Sequence, residues 1–71
     1  MDRVPVQSSN LSSVGYDPTT STLEIEFSNG SIYQYFGVPE YVHEGLMNAG
    51  SKGSYFDQHI KRAGYPYSKV G

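Results

Sequence analysis

Polar and apolar positions alternate most cleanly over Leu23-Glu24-Ile25-Glu26-Phe27, which predicts a strand with Leu23, Ile25 and Phe27 inside and both glutamates in water. Ser28-Asn29-Gly30 follows, then Ser31-Ile32-Tyr33-Gln34-Tyr35-Phe36, a second run of strand character, so the pair forms a β-hairpin. Two loops compete for its register, and the choice decides where the tyrosines face. A two-residue Asn29-Gly30 turn pairs Phe27 with Ile32 and exposes Tyr33 and Tyr35 as a stacking platform. A three-residue loop with Gly30 left-handed pairs Phe27 with Ser31 and sets Tyr33 and Tyr35 beside Ile25 and Leu23. Good type I turn propensity at Ser28-Asn29, followed by a glycine free to take positive φ, favours the second, with both tyrosines in the core.

Upstream, Val14 and Tyr16 share a face at strand spacing while Leu11 is off that register, so a short or bulged strand is expected from Leu11 to Tyr16. Asp17-Pro18-Thr19-Thr20-Ser21 reads as a turn, since Asp17 can bond the backbone ahead of it. The first ten residues are polar, contain Pro5 and keep no period; residues 1–8 are expected to form a flexible arm ahead of one domain over 9–71. Downstream, Val38-Pro39 opens a helix with Pro39 at its first position, Glu40 and Glu44 near its positive end, and Val42, Leu46 and Ala49 on one stripe ending at Gly50. Gly45 on that stripe implies close approach to the sheet or to a second helix. Ser54-Tyr55-Phe56-Asp57 resembles a capping box, with the second helix running through Ala63 to Gly64 on a stripe of Phe56 and Ile60. Tyr65 to Val70 is expected to be extended. The predicted architecture is α+β: a three-stranded antiparallel β-meander followed by two α-helices packed on one face.

A chain of 71 residues has room for one core. Without cysteine it has neither disulfides nor thiolate metal ligands, so seven tyrosines and three phenylalanines must carry much of the packing. No secretory leader or bilayer-spanning run is expected, which makes the cytoplasm the simplest compartment. The formal net charge of −2 argues against nucleic-acid binding by long-range charge alone. Its distribution is uneven: Lys52, Lys61, Arg62 and Lys69 stand against Asp57 alone in the last third.

The ordered set of short motifs resembles the KTSC domain, a small bacterial module named after a C-terminal extension of some lysyl-tRNA synthetases. The resemblance covers the chain from about Ser8. It rests on Ser9-Asn10-Leu11, Val14-Gly15-Tyr16-Asp17, the central Tyr33-Gln34-Tyr35, Val38-Pro39, Ser51-Lys52-Gly53-Ser54-Tyr55-Phe56, Ile60-Lys61 and Tyr65-Pro66-Tyr67. The family commonly has asparagine where Asp57 stands, which bears only on the second helix's cap. The resemblance implies no activity; RNA binding is a suggestion drawn from the synthetase fusions.

Enzyme classes lack their parts. His43 and His59 are the only imidazoles, and there is no His-Glu-x-x-His, phosphate-binding glycine loop or Gly-x-Ser-x-Gly. His43 and Glu44 diverge around a helix and read as solvated, and Glu24 and Glu26 read as a solvated strand face. No catalytic residue, metal site or cofactor is assigned. The remaining candidate is the C-terminal surface of Lys52, Tyr55, His59, Lys61, Arg62, Tyr65, Tyr67 and Lys69, whose interleaved cations and rings suit weak, salt-sensitive binding of single-stranded RNA. The bland alternative is that Lys61 and Arg62 answer a helix dipole and the tyrosines pack. The expectation is a non-enzymatic binding module with RNA as the leading ligand. The alternative is a protein partner, either a peptide or a second copy, at a sheet edge or in the groove between the helices. A purely structural accessory is the third class. No membrane or small-molecule partner is indicated.

Overall fold

The computed structural model describes residues 1–71. Five strands form one antiparallel sheet in chain order: β1 (Val4–Pro5), β2 (Leu11–Asp17), β3 (Thr22–Phe27), β4 (Ile32–Phe36) and β5 (Tyr67–Lys69). Between β4 and β5 the chain leaves the sheet as α1 (Glu40–Asn48) and α2 (Lys52–Phe56). The second helix continues as a π-helical turn over Asp57–Lys61.

The expected hairpin is present with the three-residue loop. Phe27 N–H donates to Ser31 O at 2.8 Å, Gly30 N–H donates to Phe27 O at 2.9 Å, and Gly30 takes φ 92°. Ile25 therefore pairs with Tyr33 and Leu23 with Tyr35, which puts both tyrosines on the helix-covered face. The misfit at Leu11 is a shift in the β2–β3 register between Leu11 and Ser13, as a bulged strand requires. In the turn before β3, Asp17 Oδ1 accepts from Thr19 N–H at 2.9 Å.

The three-stranded expectation is corrected to five, because both chain ends add a short edge strand. The arm expected over residues 1–8 is paired at Val4 and Pro5, opposite Val14 and Ser13. The extended tail is β5, paired with β4 through Tyr33↔Lys69, Gln34↔Ser68 and Tyr35↔Tyr67. A two- or three-residue strand carries too little alternation to be seen by period, and its partner strand supplies the order.

Helix boundaries also move. Pro39 is the residue before α1 rather than its first turn, with ψ 152°, and Ala49 closes the helix in extended conformation. The cap of α2 is Ser51, three residues before the expected Ser54; its hydroxyl accepts from Ser54 N–H at 3.4 Å. Ser51 and Ser54 both fit a capping role by residue type, so the choice fell to packing. Phe56 and Ile60 are buried as expected. A Cβ on Gly45 would come within 2.1 Å of the Tyr55 hydroxyl, so the missing side chain is what lets α1 and α2 meet.

The core lies between the helices and the middle of the sheet, with Leu11, Val14, Leu23, Ile25, Val38, Leu46 and Ile60 almost fully enclosed. On the opposite face the expectation of two solvated glutamates fails for Glu24, which is 7% exposed. Arg3 is ion-paired with it, Gln34 Nε2 donates to its other oxygen at 2.8 Å, and Arg3 Nε donates to Ser13 Oγ at 2.9 Å. Ser13 in turn donates to Glu26 Oε1 at 2.8 Å. The terminal segment lies flat on Gly15, where a Cβ would stand 2.7 Å from Asp2 O. Burial would raise the Glu24 carboxyl, but the hydrogen bonds from Gln34 and Arg3 and the Arg3 charge outweigh it and hold it below the ordinary range.

Candidate functional site

α2 sets Phe56 against Phe27 of β3 and Tyr35 of β4, and beyond it the β5 side of the same face is open. There a cleft of about 580 Å³ is lined by Phe27, Tyr33, Tyr35, Phe56, Tyr65 and Tyr67, together with Lys61 and Gly64. Strand alternation provides its floor: Tyr33 and Tyr35 are two apart on β4, and Tyr67 is directly across from Tyr35 on β5. The ring centroids are 6.4 Å apart for Tyr33–Tyr35, 6.0 Å for Tyr33–Tyr67 and 5.8 Å for Tyr35–Tyr67. Phe56 closes the helix side edge-on, 5.5 Å from Tyr35 and 5.3 Å from Phe27.

Of the two alternatives for Tyr33 and Tyr35, the three-residue loop selects the core side of the sheet. Tyr35 is 7% exposed and belongs to the core, Tyr33 is half-buried, and their neighbour Tyr67 is 65% exposed. Burial, with the nearby hydroxyls of Tyr33 and Tyr67, pushes the Tyr35 phenol up to about 12. Burial also raises Tyr65, with smaller contributions from Tyr41 and Tyr55. Tyr16 is the tyrosine whose hydroxyl is tied to the chain, donating to Val38 O at 2.6 Å.

Of the eight C-terminal residues singled out from sequence, Lys61, Tyr65 and Tyr67 line this cleft, and Lys69 stands beside it on the same face, across from Tyr33. The other four do not converge there. Lys52 donates to Ala49 O at 3.2 Å, and Arg62 Nε is 3.3 Å from Asp57 Oδ2 in an exposed pair. The rings of Tyr55 and His59 pack on each other at 4.4 Å, tilted by 38°, where Tyr55 also fills the space above Gly45. His43 is half-buried rather than solvated: its ring lies parallel to Tyr16 at 4.7 Å, and burial lowers its pKa despite Glu40 and Glu44.

Phe27 and Phe56 complete the cleft and were assigned only to the core from sequence. The available signal was their position on the same inward face as Tyr33 and Tyr35. The π-helical turn carries Lys61 to the cleft wall, with Arg62 N–H donating to Asp57 O at 3.1 Å, five residues back. Such turns are often found at functional sites. No carboxylate lines the cleft, and Lys61 has no ion-pair partner within 4 Å. A second hollow, of about 470 Å³, lies on the other side of Lys61 among Asn10, Ser28, Asn29, Gly53 and Asp57. No group of three histidine, cysteine, aspartate or glutamate side chains is placed to hold a metal ion. No helix is long and apolar enough to cross a membrane.

Relatives share sequence along the chain, and one solved relative shares the fold. An uncharacterised protein of Stutzerimonas stutzeri is 46% identical over 70 residues, 99% of each chain. The crystal structure of a KTSC domain protein from Yersinia pestis superposes with a TM-score of 0.93 at 47% identity, covering 99% of this chain and 97% of that one. A lysine–tRNA ligase of Nostoc is 61% identical over 46 residues, 65% of this chain but 8% of the ligase. The family model for the KTSC domain matches residues 7–65. With that match, and with the fold and the Tyr33-Gln34-Tyr35 strand in place, the chain belongs to the KTSC domain family.

Proposed function

We propose that this KTSC domain is a non-catalytic binding module whose ligand is single-stranded RNA, held on the open face of β4 and β5. The observation that carries the reading is the cleft: the exposed Tyr67 ring and the half-buried Tyr33 and Tyr65 beside unpaired Lys61 and Lys69, with no carboxylate among its lining residues. Rings stack on unpaired bases of any sequence, and cations at the rim meet phosphates. The partial match to lysine–tRNA ligases, enzymes that by name act on tRNA, is in keeping with an RNA partner. The excess of cations is small and the formal net charge is −2, so binding is weak and depends on stacking as much as on charge.

An NMR titration with an unstructured RNA oligonucleotide tests the proposal. Lys61, Tyr65, Tyr67 and Lys69 should shift together. With two phosphate contacts, affinity should fall about 25-fold over a tenfold rise in salt. Shifts confined to the outer edge of β5 with a peptide, or on self-association, would replace RNA with a protein partner. No response to RNA at low salt would end the RNA reading.

A further inference from the structure

We infer that the aromatic cleft is a pocket for a single nucleotide, its base lying against the Tyr67 ring and its phosphate meeting the Lys61 ammonium. The inference rests on the cleft being the ligand face and adds the unit that it recognises.

Spacing sets how a base can enter. A planar ring inserted between two others needs about 7 Å between them, two van der Waals contacts. The centroids of Tyr33, Tyr35 and Tyr67 are 5.8 to 6.4 Å apart, so no base slides between them. It lies instead across their open side, where Tyr67 presents the most surface at 65% exposure. Phe56 and Tyr65 both line the pocket, which measures about 580 Å³. That is within the range of small-ligand pockets, and it accommodates one nucleotide rather than a stacked run.

Chemistry narrows the class of ligand. An aromatic cage alone would also suit a methylated ammonium group, through cation–π attraction. Here the charged group on the wall is Lys61, and no carboxylate lines the cleft, Asp57 lying in the adjoining hollow, so an anionic ligand is favoured over a cationic one. The phenol groups of Tyr33, Tyr35 and Tyr67 are clustered and make no side-chain hydrogen bond within the chain, which leaves them to meet the polar edge of a heteroaromatic ring. A planar ring with a polar edge and a phosphate one sugar away combines these demands; a simple phosphate or an apolar ring meets only one.

The test compares adenosine and uridine 5′-monophosphates with the parent nucleosides and with ribose 5-phosphate, each titrated into the intact chain by NMR. The monophosphates should shift Tyr33, Tyr35, Tyr65, Tyr67 and Lys61, and should bind more tightly than either nucleosides or ribose 5-phosphate. Tyr67→Ala should weaken the monophosphates about tenfold, whereas Tyr67→Phe, which keeps the ring, should retain most of the affinity. Lys61→Ala should remove the preference for monophosphate over nucleoside. Because Tyr67 and Lys61 are exposed, an unchanged amide spectrum shows that each variant is folded. Ribose 5-phosphate binding as tightly as the monophosphates, or shifts lying elsewhere, overturns the pocket. An RNA oligonucleotide that moves Lys61 and Lys69 but leaves the rings of Tyr33, Tyr35 and Tyr67 unmoved also overturns it, with RNA binding intact. Monophosphate binding without any RNA response upholds the pocket and removes the RNA reading alone.

Discussion

Both outer strands of the sheet are made by the chain's ends, and they are held in opposite ways. At the N-terminal edge β1 has two residues, yet the Arg3 side chain next to it is bonded to Glu24 and Ser13, and through Ser13 to Glu26. Ser13, Glu24 and Glu26 on that side of β2 and β3 each have a side-chain partner. At the C-terminal edge β5 has three exposed residues, paired with β4 through the backbone, with the Tyr67 ring beside those of Tyr33 and Tyr35; its Lys69 has no carboxylate within ion-pair distance. A charge answered inside the fold is committed to stability. One left unanswered next to the exposed Tyr67 ring is open to a ligand, and under the proposed function that difference separates the two edges.

The largest effect expected from this contrast is at Arg3. Its removal leaves the Glu24 carboxylate, whose side chain is 9% exposed, with Gln34 as its only side-chain donor. Stripping one partner from a buried pair costs about 3–5 kcal/mol, and the 26% exposure of Arg3 reduces this to about 2 kcal/mol for Arg3→Ala. Denaturant unfolding measures it. Glu24→Gln keeps an acceptor for Arg3 and should cost about half as much. Gly15→Ala comes next: the new methyl meets the Asp2 carbonyl, the terminal segment must lift, and about 1 kcal/mol is expected with faster amide exchange at Val6, whose N–H donates to Ser12 O.

The same contrast explains what could be read from the sequence. The β3–β4 hairpin was legible to its register, because Leu23 to Phe27 alternates strictly and Gly30 supplies the one positive φ that the loop needs. The stripe of Phe56 and Ile60 and the close approach at Gly45 followed from spacing and residue size. Neither edge strand was legible, since two or three residues define no period. The burial of Glu24 escaped for a related reason: it depends on Arg3, 21 positions away, and only the pairing of β1 brings them together. The candidate site was half legible. Lys61, Tyr65, Tyr67 and Lys69 meet at one cleft, while Lys52, Tyr55, His59 and Arg62 are engaged elsewhere, because charge and aromatic counts along a chain do not say which helix face carries them.

At the C-terminal edge Tyr67→Ala should cost only about 0.5–1 kcal/mol, the range of a cross-strand pair, since the ring is mostly exposed and contributes mainly to Tyr35. A loss equal to that of Arg3→Ala would break the comparison, for it would make β5 as structural as β1.

The two edges should also respond to opposite ends of the pH scale, the smallest and most selective effect. Glu24 has a lowered pKa in the fold, so its contribution is fully present above the ordinary carboxylate value of 4.5 and is lost as pH falls through the lower folded value. Tyr35 is raised from 10.0 to about 12, so its contribution is present below pH 10 and is lost between there and about 12. His43 adds a separate loss of stability as pH falls below 6.5, but it stacks on Tyr16 under α1, away from both edges. Acid should therefore loosen the resonances of Arg3 to Val6 ahead of those of β5. Base should loosen the environment of Tyr33, Tyr35 and Tyr67 first, seen as a late tyrosinate absorbance step that Tyr35→Phe abolishes. The phenylalanine keeps the ring that packs on Phe56 and removes the proton that titrates, so the variant should also hold its stability better between pH 10 and 12. If Tyr35→Phe loses stability in that window as steeply as the parent, the alkaline sensitivity lies outside the cleft and Tyr35 is not the group that ties β5 to β4.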